Sequence, residues 1–442
     1  MQIYLESLGC ARNQVDSETM LAQLAAAGIG VTEDPALADA IVVNTCSFIE
    51  AAADESIDTI LALARYKREG RCRRLIVTGC LPERYRGQIV EALPEVDLFL
   101  GTGAYDRVVT AVRGGLAAGG CLLPDPDSVD GAQVILRKPL QAHSAYLKIA
   151  EGCSRKCTYC IIPKLRGRRK SRPAGTILQE ARALIAGGVR ELTLVSQETT
   201  DYGLDLSPPH NLADLLVELA RLDPAVWIRM MYGHPQSITP AMIQAMAAHA
   251  NICSYIDLPI QHASPDVLRR MGRHYSDCDL REGIAAIRAQ VPDVALRTTV
   301  LVGFPGERES DFEHLKAFIT EMRFDHLGVF TYSDAEDLPA HSLKGHVAAQ
   351  LAQDRMDALM AVQQDLSAEN LSRYLGRQMT VLVDKGPDED GRLTARTQYQ
   401  APEVDGVTYV HPAPDQPTPV PGTFLGVRVV DTLDYDLIAE VL

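Results

Sequence analysis

Cys153, Cys157 and Cys160 stand in a C-x3-C-x2-C run, Cys153-Ser154-Arg155-Lys156-Cys157-Thr158-Tyr159-Cys160, introduced by Tyr146-Leu147-Lys148-Ile149-Ala150-Glu151-Gly152. Three thiolates on one short loop can hold three corners of a cubane iron-sulfur cluster, and no fourth protein ligand is offered nearby. One iron then stays open to a small molecule, and that is where chemistry can happen. Two other readings use the same residues. One is a zinc knuckle, which takes a fourth ligand and usually pairs its cysteines; the other is a redox Cys157-x-x-Cys160 with Cys153 incidental. The uneven spacing and the lack of a second C-x-x-C favour the cluster.

Three more cysteines share a position rather than a motif. Each follows a short β-type run: Cys10 after Ile3-Tyr4-Leu5, Cys46 after Ile41-Val42-Val43, and Cys80 after Leu75-Ile76-Val77. Helical patterns over 15–27 and 50–68 separate the runs, and that alternation predicts parallel strands joined by crossover helices in an open α/β sheet. Parallel strands point the same way, so their carboxyl ends share one edge, where such sheets hold ligands. Residues 36 and 34 positions apart thus converge on one place. The plain alternative is a buried strand-end cysteine serving as a small hydrophobe.

Residues 101–140 carry Gly114-Gly115, Gly119-Gly120 and Pro124-Asp125-Pro126-Asp127, and read as a turn-rich connection. Beyond it six strand-like runs alternate with helical ones: Ala145 to Ile149, Glu191 to Val195, Trp227 to Met231, Tyr255 to Leu258, Leu296 to Val302 and Leu327 to Phe330. Six strands predict an incomplete α/β barrel rather than a closed eightfold one, with the Cys153 loop at the carboxyl end of its first strand. Within it, Leu301-Val302-Gly303-Phe304-Pro305-Gly306-Glu307 is a glycine-punctuated turn at a strand end, which lets backbone approach a ligand; Gly303, Gly306 and Glu307 are candidate cofactor contacts. Lys164, Arg166, Arg168, Arg169, Lys170 and Arg172 form either a solvated basic loop or a grip for an anionic group. His234 and His262 follow strand-like runs and are either cavity residues or structural histidines. Cys72, Cys121, Cys253 and Cys278 lack a partner pattern and read as structural.

A helical segment over about 345–375 leads to Gly376. After it, Gln378 to Val383, Gly391 to Thr397, Thr408 to His411 and Val427 to Leu433 predict a small β-barrel. That segment holds five basic and eleven acidic residues, a net of −6, and the whole chain of 442 residues carries −15. Such charge argues against a general nucleic-acid binder and suits a basic partner. The length predicts two or three domains, with boundaries placed at 1–135, 140–375 and 376–442. The first residues show no signal-peptide pattern and no apolar run is long enough to span a bilayer, so the expected location is the cytoplasm. In that compartment ten cysteines point to metal or cluster ligation rather than disulfides.

The C-x3-C-x2-C motif resembles the signature of radical S-adenosylmethionine enzymes, and the Cys10, Cys46, Cys80 set resembles the methylthiotransferases among them. The last segment is similar to their TRAM domain. Three phrases resemble the RimO branch, which modifies an aspartate of the twelfth small-subunit ribosomal protein: Ser7-Leu8-Gly9-Cys10-Ala11-Arg12-Asn13-Gln14-Val15-Asp16-Ser17-Glu18, Asn44-Thr45-Cys46-Ser47-Phe48-Ile49-Glu50 and Tyr146 to Cys153. Asp337-Leu338-Pro339-Ala340 departs from the Gly-Thr pair that the family commonly has before Pro-Ala. The resemblance implies two 4Fe-4S clusters, one on each cysteine set. It also implies S-adenosylmethionine as cosubstrate, an electron donor protein and a sulfur donor. The implied substrate is a basic small-subunit ribosomal protein, with tRNA as the sister branch's substrate and a non-catalytic electron carrier as the reading from another class. On that view the acidic C-terminal domain, with its Asp388-Glu389-Asp390 run, docks the ribosomal protein and presents an aspartate-bearing loop to the barrel mouth.

Overall fold

The computed structural model describes residues 1–116, 119–128, 137–413 and 417–442. The expected first domain boundary at 135 falls among residues 129–136 and lies outside the described residues.

In the first unit β1 (Gln2–Ser7), α1 (Ala11–Ala26), β2 (Gly30–Val31), β3 (Ala40–Thr45), α2 (Glu50–Ala64), α3 (Tyr66–Glu69), β4 (Arg74–Gly79), α4 (Cys80–Tyr85), α5 (Gln88–Ala92), β5 (Leu98–Leu100), α6 (Val108–Val112) and β6 (Gly120–Leu122) succeed one another. The six strands form one sheet in the order β2-β1-β3-β4-β5-β6, parallel throughout. Every residue of β3 is buried, as a central strand covered on both faces requires. Alternation divides its side chains between two cores: Ile41 and Val43 pack with Ala53, Ile60 and Leu63 of α2, while Ala40 and Val42 pack with Met20 and Leu24 of α1. The stretch expected to be only a connection adds α6 and β6 to this sheet. Val108, Ala111 and Val112 give α6 an apolar face at helical spacing. A three-residue strand that begins with Gly offers no alternation to read.

The second unit runs through β7 (Ser144–Lys148), β8 (Ala150–Glu151), α7 (Ile162–Arg166), β9 (Lys170–Ser171), α8 (Ala174–Ala186), β10 (Glu191–Val195), α9 (Leu212–Ala220), β11 (Trp227–Met230), α10 (Pro240–Ala248), β12 (Tyr255–Asp257), α11 (Pro265–Arg270), α12 (Asp277–Gln290), β13 (Ala295–Val302), α13 (Glu309–Met322), β14 (His326–Thr331) and α14 (Ala349–Ser372). Two parallel three-stranded sheets, β11-β10-β7 and β12-β13-β14, are linked by a parallel bridge from Ile228 to Ile252. The result is a six-stranded partial barrel with no pairing between β7 and β14 among the described residues. Leu147, Leu192, Leu194, Ile228, Leu296 and Val300 point outward into a shared core with the surrounding helices. Among the described residues no helix is long and apolar enough to cross a membrane.

The third unit is a closed barrel of β15 (Gln378–Lys385), β16 (Leu393–Thr397), β17 (Thr408–His411), β18 (Phe424–Thr432) and β19 (Leu437–Val441) in the order β15-β16-β17-β19-β18. The sequence reading anticipated four of these strands and missed β19. The closed barrel caps the amino ends of the partial-barrel strands, opposite the cysteines. Glu191 at the start of β10 accepts from Arg229 Nε and Arg396 Nη2, both at 2.7 Å. Tyr146 Oη donates to Glu403 Oε2 at 3.0 Å, and Tyr255 Oη to Asp405 Oδ2 at 2.7 Å. Part of the barrel's acidity is therefore spent on this junction. The expected presentation of a substrate loop from this barrel to the mouth is corrected accordingly, because the barrel sits at the other end. Within the Asp388-Glu389-Asp390 run, Asp388 and Asp390 pair with Arg392, and Asp388 Oδ1 accepts from the backbone N–H of Asp390 and Arg392. That run shapes its own turn.

Burial alone would raise the Glu191 carboxyl, but Arg396 and Arg229 override it and hold it at about 2, against an ordinary 4.5. A depressed carboxylate contributes stability that is present above the ordinary value and lost as pH falls toward the folded one. Glu191→Gln leaves two buried guanidinia short of their partner and should cost about 3–5 kcal/mol at neutral pH. Thermal unfolding as a function of pH checks this: the wild-type advantage should shrink below about pH 4.5 and vanish near pH 2.

Candidate active site with two cysteine sets

The Cys153–Cys160 loop lies across the carboxyl ends of the partial-barrel strands. Gly152 makes the turn into it at φ +78°, and a Cβ there would stand 2.1 Å from the Arg168 carbonyl oxygen, so only glycine lets the loop pass that backbone. Cys153 N–H donates to Gly167 O at 3.1 Å, Thr158 N–H to Met271 O at 3.0 Å, and Thr158 O accepts from Ala340 N–H at 2.9 Å. Arg155 forks onto Glu198, beyond β10, at 2.6 and 2.8 Å. The loop is thus tied to several strand ends at once. Burial pushes the Cys153 thiol up to about 11 and Cys160 up to about 12. Thiols so placed become thiolates when a bound cationic centre replaces the proton, which suits a metal cluster. All ten cysteines are free thiols. Among the described residues no group of three or more His, Cys, Asp or Glu side chains is gathered tightly enough for a single metal ion.

The second set converges as strand direction demands. Cys10 follows β1, Cys46 follows β3 and Cys80 opens α4, all at the carboxyl edge of the first sheet. Gly9, at φ +91°, brings Cys10 onto Cys46; a Cβ at Gly9 would lie 2.7 Å from Cys46 Cβ. Arg166, only 2% exposed, enters from α7, just beyond Cys160. Its Nη2 lies 3.7 Å from Cys80 Sγ and 2.5 Å from Asn13 Oδ1, and its Nη1 donates to Asp16 Oδ2 and Tyr105 Oη, both at 2.7 Å. Arg12 Nη1 reaches the Ser196 carbonyl at the end of β10, 2.9 Å away. Burial opposes ionisation of Cys10, yet Arg12 and Arg166 outweigh it and hold that thiol below its ordinary value. Cys46 and Cys80 are raised by burial, Cys80 to about 11. The first sheet therefore faces the barrel mouth, with cations of both units around its cysteines.

The chain matches three family models: uncharacterized protein family UPF0004 over residues 2–101, the radical SAM superfamily over 147–319 and the TRAM domain over 375–442. It is 52% identical to the ribosomal protein uS12 methylthiotransferase RimO of Desulfosudis oleivorans over 442 residues, the whole of both chains. The protein of that name from Clostridioides difficile is 43% identical, covering 100% of this chain and 99% of its own. The chain belongs to the RimO methylthiotransferase family. Its enzyme class is accordingly that of the radical S-adenosylmethionine methylthiotransferases. Among solved structures, the radical S-adenosylmethionine methyltransferase TsrM from Kitasatospora setae shares the fold with a TM-score of 0.59 at 15% identity, over 77% of each chain.

In this RimO-family chain the turn at Gly303 is engaged by scaffold. Gly303 backs onto Ala352 of α14, Gly306 N–H donates to Gly345 O at 2.7 Å, and Glu307 pairs with Arg355 at 2.8 Å. Phe304 meets the cysteine loop, edge-on to Tyr159 with centroids 6.3 Å apart. The basic run is also largely spent internally: Lys164 on Asp337, Arg168 and Lys170 on Asp127, Arg169 on Asp201 and Asp205, Arg172 on Glu180. His234 and His262 are buried turn formers whose Nδ1 atoms accept from the backbone N–H of Gln236 and Ser264. Burial lowers them to about 2 and about 3, so both are neutral. Asp337, the departure from the family pattern, accepts from Arg84 of α4 at 2.8 and 3.1 Å and so ties the loop after β14 to the helix that Cys80 opens. Sequence reasoning assigned no role to Arg12, Asn13, Asp16 or Asp337. The first three occupy the opening turns of α1 directly after Cys10, and that adjacency was the available signal.

Proposed function

We propose that this chain transfers a methylthio group to the β-carbon of an aspartate in ribosomal protein uS12, with one 4Fe-4S cluster on Cys153, Cys157 and Cys160 and a second on Cys10, Cys46 and Cys80. The observation that carries it is that the segment directly after Cys160 packs on the second set, Ile161 beside Cys80 and Arg166 of α7 against the Cys80 thiol. When bound, the clusters supply reductive cleavage of S-adenosylmethionine at the first set and a station for sulfur at the second, fed by an electron donor protein and a sulfur donor. A radical is needed because no side-chain base at neutral pH usefully ionises an aspartate β C–H.

The chain's own residues do the holding. Gly152 and the backbone bonds of Thr158 fix the first triad across the strand ends, while Gly9 and Arg166 fix the second against it. A net charge of −15 supports a basic protein partner over tRNA. Mass spectrometry of ribosomal proteins and tRNA from cells with and without the gene tests this. The expected loss is the methylthio mark on uS12 alone; loss of a tRNA adenosine modification instead would reject the reading.

A further inference from the structure

Around the two cysteine sets, arginines are neutralised by the chain's own carboxylates: Arg155 by Glu198, Arg166 by Asp16, Arg169 by Asp201. Arg12 departs from this pattern. Among the described residues it forms no ion pair, and its hydrogen bond runs from Nη1 to a backbone carbonyl, that of Ser196. Its guanidinium carbon lies over the Tyr232 ring, 4.5 Å from the centroid. Tyr232 itself is held at φ +60°, a left-handed backbone that a bulky residue adopts only when its surroundings impose it; here its N–H is tied to Asp257 Oδ2 at 2.9 Å. The ring is thus a fixed platform that orients the guanidinium. Arg273, beside the other set, also lacks a carboxylate, but its Nε, Nη1 and Nη2 donate to the Tyr159 and Tyr275 hydroxyls at 3.2, 3.3 and 2.8 Å. Its fork is spent on hydroxyls, whereas Arg12 faces the Cys10 thiol and one backbone carbonyl and has no carboxylate partner among the described residues.

We propose that Arg12 receives the side-chain carboxylate of the aspartate being modified, and so sets the preference for Asp over Asn. This rests on the substrate reading above. A guanidinium matches a carboxylate bidentately, and a half-buried one short of an acid partner is a site prepared for an incoming anion. The position fits the reaction. Arg12 lies two residues from Cys10 and spans to the end of β10, so it stands between the second cysteine set and the barrel mouth. The β-carbon of an aspartate is one bond from its carboxyl carbon, and anchoring the carboxylate therefore fixes the reacting atom. S-adenosylmethionine also carries a carboxylate, and the experiment separates the two sources.

The test uses the anaerobically reconstituted full chain, a synthetic peptide bearing the uS12 target loop with its aspartate, and the same peptide with Asn there. Wild type should bind the Asp peptide about 10- to 100-fold more tightly, the range for a charge-assisted pair. Arg12→Gln should erase the difference, and Arg12→Lys, which keeps charge but loses the fork, should retain part of it. Iron content and circular dichroism report cluster loading and fold, and S-adenosylmethionine binding is measured in parallel. An Asp preference that survives in both variants overturns the proposal, as does a loss confined to S-adenosylmethionine binding. If Arg12→Gln does not fold, Arg12→Lys decides: a reduced preference supports the proposal and an unchanged one refutes it. Failure of wild type to bind either peptide rejects the substrate reading, and the proposal with it.

Discussion

Replacing Cys153, Cys157 and Cys160 together by Ala should leave about half the iron of the reconstituted wild-type protein and abolish formation of 5′-deoxyadenosine. The iron expected to remain is that on Cys10, Cys46 and Cys80, which follow strands of a different sheet and keep their own geometry. The fold should survive, because the loop is held by backbone hydrogen bonds at Cys153, Thr158 and Ala340 and by the Arg155–Glu198 pair, none of which needs a thiol. The three thiols are half-buried, and burial holds Cys153 and Cys160 in the neutral form, so their removal deletes ligands without unpairing a charge. The effect is therefore on chemistry and not on stability. Iron assay and product chromatography on one anaerobic preparation check both halves; cosubstrate cleavage at the wild-type rate would show that the loop is not its site.

The two sets act as one site only if the units stay docked, and the contacts suited to that are buried. Arg166 joins α7 to Asp16, Asn13 and Tyr105 of the first unit, Arg137 pairs with both Glu18 and Glu180, and Thr102 Oγ1 donates to Leu165 O at 2.6 Å. Buried, hydrogen-bonded pairs of this kind are costly to break singly, unlike the exposed pairs elsewhere on the surface. Asp337 adds a partly exposed tie from the last strand's loop to α4.

Much of this architecture was legible because its elements obey simple periods. The six partial-barrel strands are short apolar runs punctuated by helices, and their expected and observed limits differ by one residue at most. The convergence of Cys10, Cys46 and Cys80 followed from strand direction alone. What escaped was short or set by distant partners. β19 is a five-residue run that turns back on β18 just before it and whose parallel partner β17 lies further back in the chain, and β6 is three residues with a leading glycine. The docking of the C-terminal barrel on the strand amino ends depends on Glu191 meeting Arg396 across 205 positions, which no local pattern encodes. Asp384, Glu403 and Asp405 entered the sequence reading only through the barrel's net charge; in the fold they face His143, Tyr146 and Arg297. Likewise Arg166 read as one more basic residue in a run, and only the fold shows it against Cys80.

If the two cysteine sets divide the labour, replacing Cys10, Cys46 and Cys80 together by Ala separates radical formation from sulfur transfer. Gly9 places Cys10 against Cys46, and Arg166 and Arg12 surround the set with positive charge, so these thiols stand where a second cluster would be stabilised. The loop at Cys153 does not depend on them: its ties run to Gly167, Met271, Ala340 and Glu198, all outside the first sheet. The measurement is one anaerobic reaction with S-adenosylmethionine, a reductant and the uS12 peptide, in which 5′-deoxyadenosine and methylthio product are quantified together. The expected result is about half the iron, continued 5′-deoxyadenosine formation and no methylthio product. Methylthio product at the wild-type level from that triple variant would contradict it, and would leave Cys10, Cys46 and Cys80 as no more than buried residues at strand ends.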